Sequence, residues 1–243
     1  MGRSVIHRGE LTADGLYEEL SNGIEGQDRV LEELARSVVA GLGSMAAHRK
    51  GPRGVYVLGG PSGVGKTETA VRLSRVLGGG REALIRINCN MLHGSAHDRG
   101  PAQNILLGVP PGFLGYVRGN GGELSRIRDH PQSVVLFDEI EKASSTISDL
   151  LLQIIDDGQC EDAEGNLLDF RRSFILFTTN VGSTRTAPTI GFGGPDAASG
   201  PSTDEASLRS ALRAMGFHDA FLGRMDAFFV FAPLDRPAVL RIL

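Results

Sequence analysis

The chain has 243 residues, which is enough for one large domain or for one domain with a short arm. Hydrophobic residues make up 41% and charged residues 22%, a balance that supports a buried core and excludes global disorder. The formal net charge of −4 supplies no basic footprint, so we expect no dedicated nucleic-acid binder.

The first quarter of the chain predicts an arm, a helix, a strand and a second helix. Residues 1–22 are expected to form an arm or short helix that leads into the domain. From Gln27 to Met45, apolar residues recur at steps of three and four, which predicts an amphipathic helix. Gly51-Pro52 ends that pattern. Val55–Leu58 then predicts a short buried strand, and a glycine-rich turn leads into a helix over residues 71–77.

The middle of the chain continues the alternation of strands and helices. Ala83–Ile87 predicts a second strand, and residues 88–122, with Gly and Pro throughout, predict a long loop. Gly122–Asp129 is expected to be helical. Ser133–Phe137 is a continuous apolar run and predicts a strand, followed by an amphipathic helix over residues 147–155.

The remaining elements complete an α/β pattern. We expect a hairpin over Cys160–Phe170 and another apolar strand at Phe174–Phe177. Residues 182–203 are rich in Gly, Pro, Ser, Thr and Ala, which predicts a mobile loop. A helix from Asp204 to Met215 and a strand at Phe228–Phe231 follow. Strands that alternate with helices imply an α/β fold with a mainly parallel sheet.

A phosphate-binding motif lies between the first predicted strand and its helix. Residues 60–67 fit the pattern G-x-x-x-x-G-K-[ST], in which glycines let backbone N–H groups point at phosphate oxygens. Lys66 is expected to reach the β- and γ-phosphates of ATP, and Thr67 to offer its hydroxyl to Mg²⁺. The expected nucleotide contacts in this segment are Gly60, Pro61, Ser62, Gly63, Val64, Gly65, Lys66, Thr67 and Glu68.

Two further strands end in polar residues that complete the chemistry. Asp138 and Glu139 follow an apolar strand, so Asp138 is expected to hold Mg²⁺ and Glu139 to activate the attacking water. Asn180 follows another apolar strand, and if that strand lies beside the phosphate-loop strand, Asn180 can bind the water or the γ-phosphate. Acidic pairs and Asn at strand ends are often ordinary loop residues. The upstream phosphate loop favours the catalytic interpretation.

With these motifs in place, the chain resembles AAA+ ATPases of the Clp unfoldase type, and more narrowly the second ATPase ring of disaggregases and of the type VI secretion sheath-recycling ATPase. The matching stretches are GQD at 26–28, GPSGVGKTETA at 60–70, GVPPGFLGY at 108–116, SVVLFDEIEKA at 133–143, LLQIIDDG at 151–158, DFR at 169–171 and TTN at 178–180. The resemblance implies a P-loop NTPase fold with a five-stranded, mainly parallel sheet flanked by helices. It also implies that Ile24 and Glu25 flank the adenine, that Phe113 is an aromatic pore-loop residue, and that Arg224 is an arginine finger for a neighbouring subunit.

The chain departs from the family pattern within the domain and at its end. Asn88–Gln103 lacks the acidic stretch expected there, Val117-Arg118 replaces an acidic pair, and His218 stands where a second arginine is usual. The resemblance divides the chain into an arm (1–22), the large ATPase subdomain (23–235) and the start of the small helical lid (236–243). We therefore expect the lid to be missing from this chain.

Three functions are compatible with these motifs. The first is an ATP-driven motor, a homohexameric ring that threads protein substrates past Phe113. The second is a nucleotide-switched binding module without translocation, and the third, a nucleic-acid loader, is disfavoured by the acidic charge. A peptidase or adaptor partner is not identified by the sequence. No apolar run approaches the roughly 20 residues of a membrane span and no signal peptide is evident, so we expect a cytoplasmic protein without a membrane partner.

Overall fold

The structure is a computed structural model that describes residues 11–43, 49–79, 81, 83–92, 100–143, 147–181, 205–235, 238 and 241. The loop predicted over residues 182–203 lies outside the described residues, as do residues 1–10 of the predicted arm and most of the predicted lid start.

The described residues form an alternating series of helices and strands. The helices are α1 Ala13–Ser21, α2 Asp28–Leu42, α3 Lys66–Leu77, α4 Gly100–Leu107, α5 Ser148–Asp157, α6 Glu205–Ala214 and α7 Asp219–Leu222. The strands are β1 Gly54–Gly59, β2 Leu84–Asn88, β3 Val134–Asp138, β4 Gln159–Glu161, β5 Leu167–Asp169, β6 Phe174–Thr179 and β7 Ala227–Val230. Short 3₁₀ helices cover Cys89–Met91, Glu123–Ile127 and Ile140–Lys142. Within this part of the chain, no helix combines the length and the apolar character that a bilayer crossing demands.

Five strands form one parallel sheet in the order β2-β3-β6-β1-β7, which confirms the predicted fold class. Every residue of β1, β3 and β6 is buried, as continuous apolar strands covered on both faces require. The register pairs Gly59 with Thr179 and Asn88 with Asp138. The carboxyl ends of β1, β2, β3 and β6 therefore lie along one edge of the sheet.

A hydrophobic core lies on each face of the sheet. Because side chains alternate along a strand, Val57 and Phe177 face α5 and α7, whereas Leu58 and Leu176 face α1, α2 and α3. The rings of Phe177 and Phe137 are stacked with centroids 5.2 Å apart, and Phe177 also makes an edge contact with Phe221. This double burial fixes the positions of the strand ends.

Most predicted elements are confirmed, and the main error concerns residues 88–122. The long loop expected there contains the 3₁₀ turn Cys89–Met91 and the helix α4, whose Ala102 and Leu106 are four residues apart and buried. The helix predicted over Gly122–Asp129 is the 3₁₀ helix Glu123–Ile127. The hairpin predicted over Cys160–Phe170 is present as the antiparallel pair β4–β5.

Candidate active site

A cavity of about 480 Å³ opens at the carboxyl edge of the sheet. The loop after β1 forms one wall, and the ends of β2, β3 and β6 form the other. The charged and polar side chains that line it include Lys66, Thr67, Arg86, Asp138, Glu139 and Asn180. Ligands in open α/β sheets bind at this edge.

The loop between β1 and α3 has a backbone that only glycine adopts without strain. Gly60, Gly63 and Gly65 have φ values of 143°, 80° and 104°. A Cβ at Gly60 would lie 2.5 Å from the carbonyl oxygen of Phe231, so the chain passes too close for a side chain. Gly63 has open space beside it. The loop ends at Gly65, and Lys66 is the first residue of α3, so the positive end of the helix dipole faces the cavity.

Lys66 is buried and held by three oxygen atoms. Its Nζ donates to the carbonyl oxygens of Gly60 at 2.7 Å and Pro61 at 2.5 Å, and to Oδ1 of Asn180 at 2.9 Å. Burial lowers the pKa of Lys66, and the nearby carboxylates, Glu141 first among them, oppose that shift. The ammonium group is therefore held on the cavity wall by oxygen atoms of the protein itself.

Asp138 receives hydrogen bonds from three neighbouring elements. Thr67 Oγ1 donates to its Oδ1 at 3.0 Å, Thr178 Oγ1 donates to the same atom at 2.6 Å, and Arg86 donates to Oδ2 through Nε and Nη2 at 3.1 and 2.5 Å. Burial favours the neutral form, but the donors, with Thr178 the strongest, leave the pKa of Asp138 below its usual value. The carboxylate is therefore ionised at neutral pH.

Glu139 has the one positive φ among the described non-glycine residues, with φ 61° and ψ 57°. Its backbone N–H donates to Thr178 Oγ1 at 2.9 Å. Its carboxylate accepts from Asn180 Nδ2 at 3.1 Å, Asn90 Nδ2 at 2.9 Å and Lys142 Nζ at 2.7 Å. The hydrogen bond from Lys142, aided by those from Asn90 and Asn180, lowers the pKa of Glu139. Strained residues of this kind concentrate at functional sites.

Asn180 connects the phosphate loop to the acidic strand end. Its Oδ1 accepts from Lys66 and its Nδ2 donates to Glu139, while its backbone N–H donates to Glu141 Oε1 at 3.1 Å. This bridge depends on β6 lying between β1 and β3. The position of β6 beside β1, the strand before the phosphate loop, is the condition on which Asn180 was assigned from the sequence. The sequence did not predict roles for Arg86, Asn90, Lys142 and Thr178, although Lys142 and Thr178 belong to the quoted stretches SVVLFDEIEKA and TTN.

Of the two predicted adenine-flanking residues, Ile24 lies next to the phosphate loop. Ile24 is buried, and its Cγ2 would be 3.0 Å from a Cβ at Gly65. Glu25 forms an ion pair with Arg241 at 2.6 Å. Glu68 lines the cavity and pairs with Arg72 at 2.8 Å.

Phe113 and Arg224 are not brought to the cavity. The side chain of Phe113 is exposed in a loop where Gly112 and Gly115 have φ near 90°. Arg224 donates to both carboxylate oxygens of Asp156, through Nε at 2.8 Å and Nη2 at 3.2 Å. In the predicted roles, Phe113 and Arg224 would therefore each contact another molecule, and not a ligand bound in the cavity of their own chain.

The cavity wall has the donor set that a magnesium–triphosphate group needs. Thr67 and Asp138 present a hydroxyl and an ionised carboxylate 3.0 Å apart, in the cavity that Gly63 also lines. No cluster of three or more His, Cys, Asp or Glu side chains suited to a metal occurs in the ranges that the structure describes. Magnesium bound with a nucleotide needs only one or two protein ligands because phosphate oxygens and water supply the others. The residues present therefore fit the group.

The glycine-rich loop at the start of α3, the Asp–Glu pair at the end of β3 and the all-parallel sheet together define a P-loop nucleotide-binding domain. Residues 51–228 match the AAA domain (Cdc48 subfamily). The chain belongs to this family of AAA+ ATPases, which confirms the resemblance found in the sequence.

Similar proteins come from the Clp and Hsp104 groups. The chain is 39% identical to the chaperone protein ClpB of Yersinia enterocolitica over 232 residues, covering 94% of this chain and 24% of that protein. It is 38% identical to the AAA+ ATPase ClpV1 of Pseudomonas aeruginosa over 215 residues, covering 88% of this chain and 23% of that protein. A closed-state structure of Hsp104 with ATPγS and FITC casein superposes with a TM-score of 0.73 and 27% identity, over 95% of this chain and 37% of that one. The chain thus spans about a quarter of the length of these curated relatives.

Proposed function

We propose that this chain binds ATP with Mg²⁺ in the cavity, hydrolyses it, and uses the energy to unfold or disaggregate other proteins by threading them through a ring. The observation that carries the proposal is the chain of hydrogen bonds from Lys66 through Asn180 to Glu139. It links a phosphate-binding cation to a candidate general base across one cavity.

Different residues of the cavity carry out different parts of the hydrolysis reaction. Backbone N–H groups of the loop and the ammonium of Lys66 bind the phosphate oxygens, and the amide of Asn180 orients the attacking water. The carboxylate of Glu139, kept ionised by Lys142, accepts the proton of that water. The Thr67 hydroxyl and the Asp138 carboxylate would hold Mg²⁺. When bound, Mg²⁺ neutralises charge that develops on the phosphate oxygens.

The proposed ring gives Arg224 and Phe113 their roles. Arg224 lies outside its own cavity, so we assign it to the nucleotide of a neighbouring copy in a homohexamer, where an arginine neutralises transition-state charge. Phe113 is exposed between glycines and is assigned to contact a protein chain passing through the pore. Protein substrates are supported by the ClpB relatives, which are named chaperones, and by the Hsp104 structure, which holds FITC casein together with ATPγS.

Replacing Glu139 tests the hydrolysis step. Glu139→Gln keeps the size and the hydrogen bond from Asn180 but removes the base, so nucleotide should stay bound while turnover falls roughly 10²–10⁴-fold. Glu161→Gln, which removes an exposed carboxylate from β4, is the matched control and should keep full turnover. Calorimetry and phosphate release measure the two quantities. Turnover at the wild-type rate in Glu139→Gln would exclude this site.

Replacing Phe113 tests the threading step. Phe113→Ala should leave ATP turnover within about twofold of wild type but abolish unfolding of a tagged fluorescent substrate, whereas Phe113→Tyr should retain it because the ring is kept. Unfolding that persists in Phe113→Ala would point instead to a nucleotide-switched module. Mixing Arg224→Ala with Lys66→Ala subunits should restore part of the turnover if the sites are shared between copies.

A further inference from the structure

The exposed loop that carries Phe113 is joined to the β4–β5 hairpin by the carboxylate of Glu164 and by one backbone hydrogen bond at its start. Oε1 of Glu164, in the hairpin turn, accepts from the Tyr116 hydroxyl at 2.9 Å and from the backbone N–H of Gly119 at 2.7 Å. These two donors lower the pKa of Glu164, with Gly119 the larger influence, so the carboxylate stays ionised at neutral pH. At the start of the loop, the N–H of Ala163 donates to the carbonyl oxygen of Leu107 at 2.9 Å.

Within the loop, the other backbone hydrogen bonds of the described residues join its own members. Phe113 donates to Pro110, Tyr116 to Phe113, and Asn120 to Val117. The apolar side chains of Phe113, Leu114 and Val117 are exposed, so packing does little to hold the tip. The position of the tip therefore depends on its contacts with the hairpin.

The hairpin turn that holds the loop is itself well ordered by a buried carboxylate. Asp162 Oδ1 accepts from the backbone N–H groups of Glu164 and Asn166, both at 2.9 Å, and Asn166 Nδ2 donates to both carboxylate oxygens. Arg128 lies 3.4 Å from Oδ2. Gly121 passes so close that a Cβ there would be 2.5 Å from Oδ2. The hydrogen bonds to Asp162 therefore fix the conformation of the turn from which Glu164 contacts the loop.

The same segment of chain reaches the cavity. Phe170, after β5, donates its N–H to the carbonyl oxygen of Gly158 at 2.8 Å, which closes the base of the hairpin at the end of α5. Strand β6 begins four residues later and leads to Asn180, which bonds Lys66 and Glu139. The hairpin and the cavity residue Asn180 therefore lie on one continuous segment of chain, joined by strand β6.

We propose that Glu164 is a positioning residue that makes the Phe113 loop move with the β4–β5 hairpin, so that changes at the nucleotide cavity reach the protein substrate. This inference rests on the proposed threading function. Glu164 has no contact with the cavity residues among the hydrogen bonds of the described chain, so its effect is on coupling and not on hydrolysis.

The test combines hydrogen exchange with an unfolding assay on the assembled protein. In Glu164→Ala the amide of Gly119 loses its acceptor, so its exchange should accelerate several-fold while exchange in β1 and β6 is unchanged. ATP turnover without substrate should stay within about twofold of wild type, and unfolding of a tagged substrate should slow several-fold. Glu164→Gln keeps an acceptor oxygen and should rescue most of both effects. Glu161→Gln removes charge from the same hairpin and should behave as wild type.

A second pair of variants separates the tether from a general weakening of the hairpin. Tyr116→Phe removes one donor without changing the ring, and combined with Glu164→Ala it should slow unfolding no further than Glu164→Ala alone. Unchanged exchange at Gly119 in Glu164→Ala overturns the tether whatever the unfolding rate. Faster exchange with normal unfolding overturns the positioning role. If Phe113→Ala also unfolds substrate normally, the threading function itself is wrong.

Discussion

Thr178 is the residue whose replacement tests the site geometry most directly. Its hydroxyl donates to Asp138 at 2.6 Å and accepts from the backbone N–H of Glu139 at 2.9 Å, and its side chain is buried. Thr178→Val keeps the branched shape and the strand preference but removes both hydrogen bonds. The substitution therefore isolates the hydroxyl.

The size of the effect follows from the two lost bonds. A hydrogen bond to an ionised group contributes about 1.5–3 kcal/mol, and an unpaired buried N–H costs about 1–3 kcal/mol. Asp138 keeps its donors Thr67 and Arg86, so the total loss of stability is smaller than the sum of these two contributions. We expect Thr178→Val to lower the free energy of unfolding by about 2–4 kcal/mol. Because the backbone of Glu139 loses its anchor, ATP turnover should fall at least tenfold, with a smaller change in nucleotide affinity.

Urea unfolding followed by circular dichroism measures the stability, and phosphate release measures the turnover. Thr178→Ser is the control, since it keeps the hydroxyl and loses one buried methyl, a cost of about 1 kcal/mol. If the Val variant proves as stable and as active as the Ser variant, the hydroxyl does not hold the two acidic residues together and the reasoning fails.

Three further predictions concern other parts of the chain. Gly158→Ala should cost more than about 2 kcal/mol of stability in urea unfolding, because φ is 70° and the added Cβ would collide with the carbonyl oxygen of Lys50. Cys89 and Cys160 should resist a disulfide reagent at pH 8 until the protein unfolds, because burial raises both pKa values, that of Cys160 to about 12. Burial favours the neutral form of Asp162, but the hydrogen bonds from Asn166 and Glu164 keep its folded pKa below the usual value. The ionised carboxylate therefore stabilises the fold above the unfolded pKa of about 3.9, and this stabilisation is lost as the pH falls through the folded pKa. The free energy of unfolding of Asp162→Asn, measured by acid titration, should therefore depend less on pH than that of the wild type.

The sequence predicted the sheet and the centre of the site because both follow from local patterns. Val55–Leu58, Ser133–Phe137 and Phe174–Phe177 are continuous apolar runs, and runs of that kind are buried on both faces in parallel sheets. The phosphate loop identifies itself by glycine spacing. Asn180 could be assigned only on the condition that β6 lies beside β1, and the strand order meets that condition.

The residues that were missed depend on contacts between distant segments. Arg86 reaches Asp138 because β2 pairs with β3, strands separated by more than 40 residues of chain, and no local pattern shows that pairing. Helix α4 was hidden because it begins with Gly100-Pro101 and carries little apolar periodicity, although Pro is well tolerated in a first turn. The partner of Arg224, Asp156, lies in another element and could not be assigned from its spacing.

The left-handed backbone at Glu139 affects which residues can replace glutamate at this position during evolution. A side chain in that conformation costs roughly 1–2 kcal/mol relative to glycine. Replacement of Glu139 by Gly or Asn would therefore raise the stability of the folded domain. The proposed role of Glu139 as the general base opposes such a replacement. Domains of this kind that no longer hydrolyse ATP should therefore be recognisable by Gly or Asn at the position of Glu139, after an otherwise unchanged strand β3.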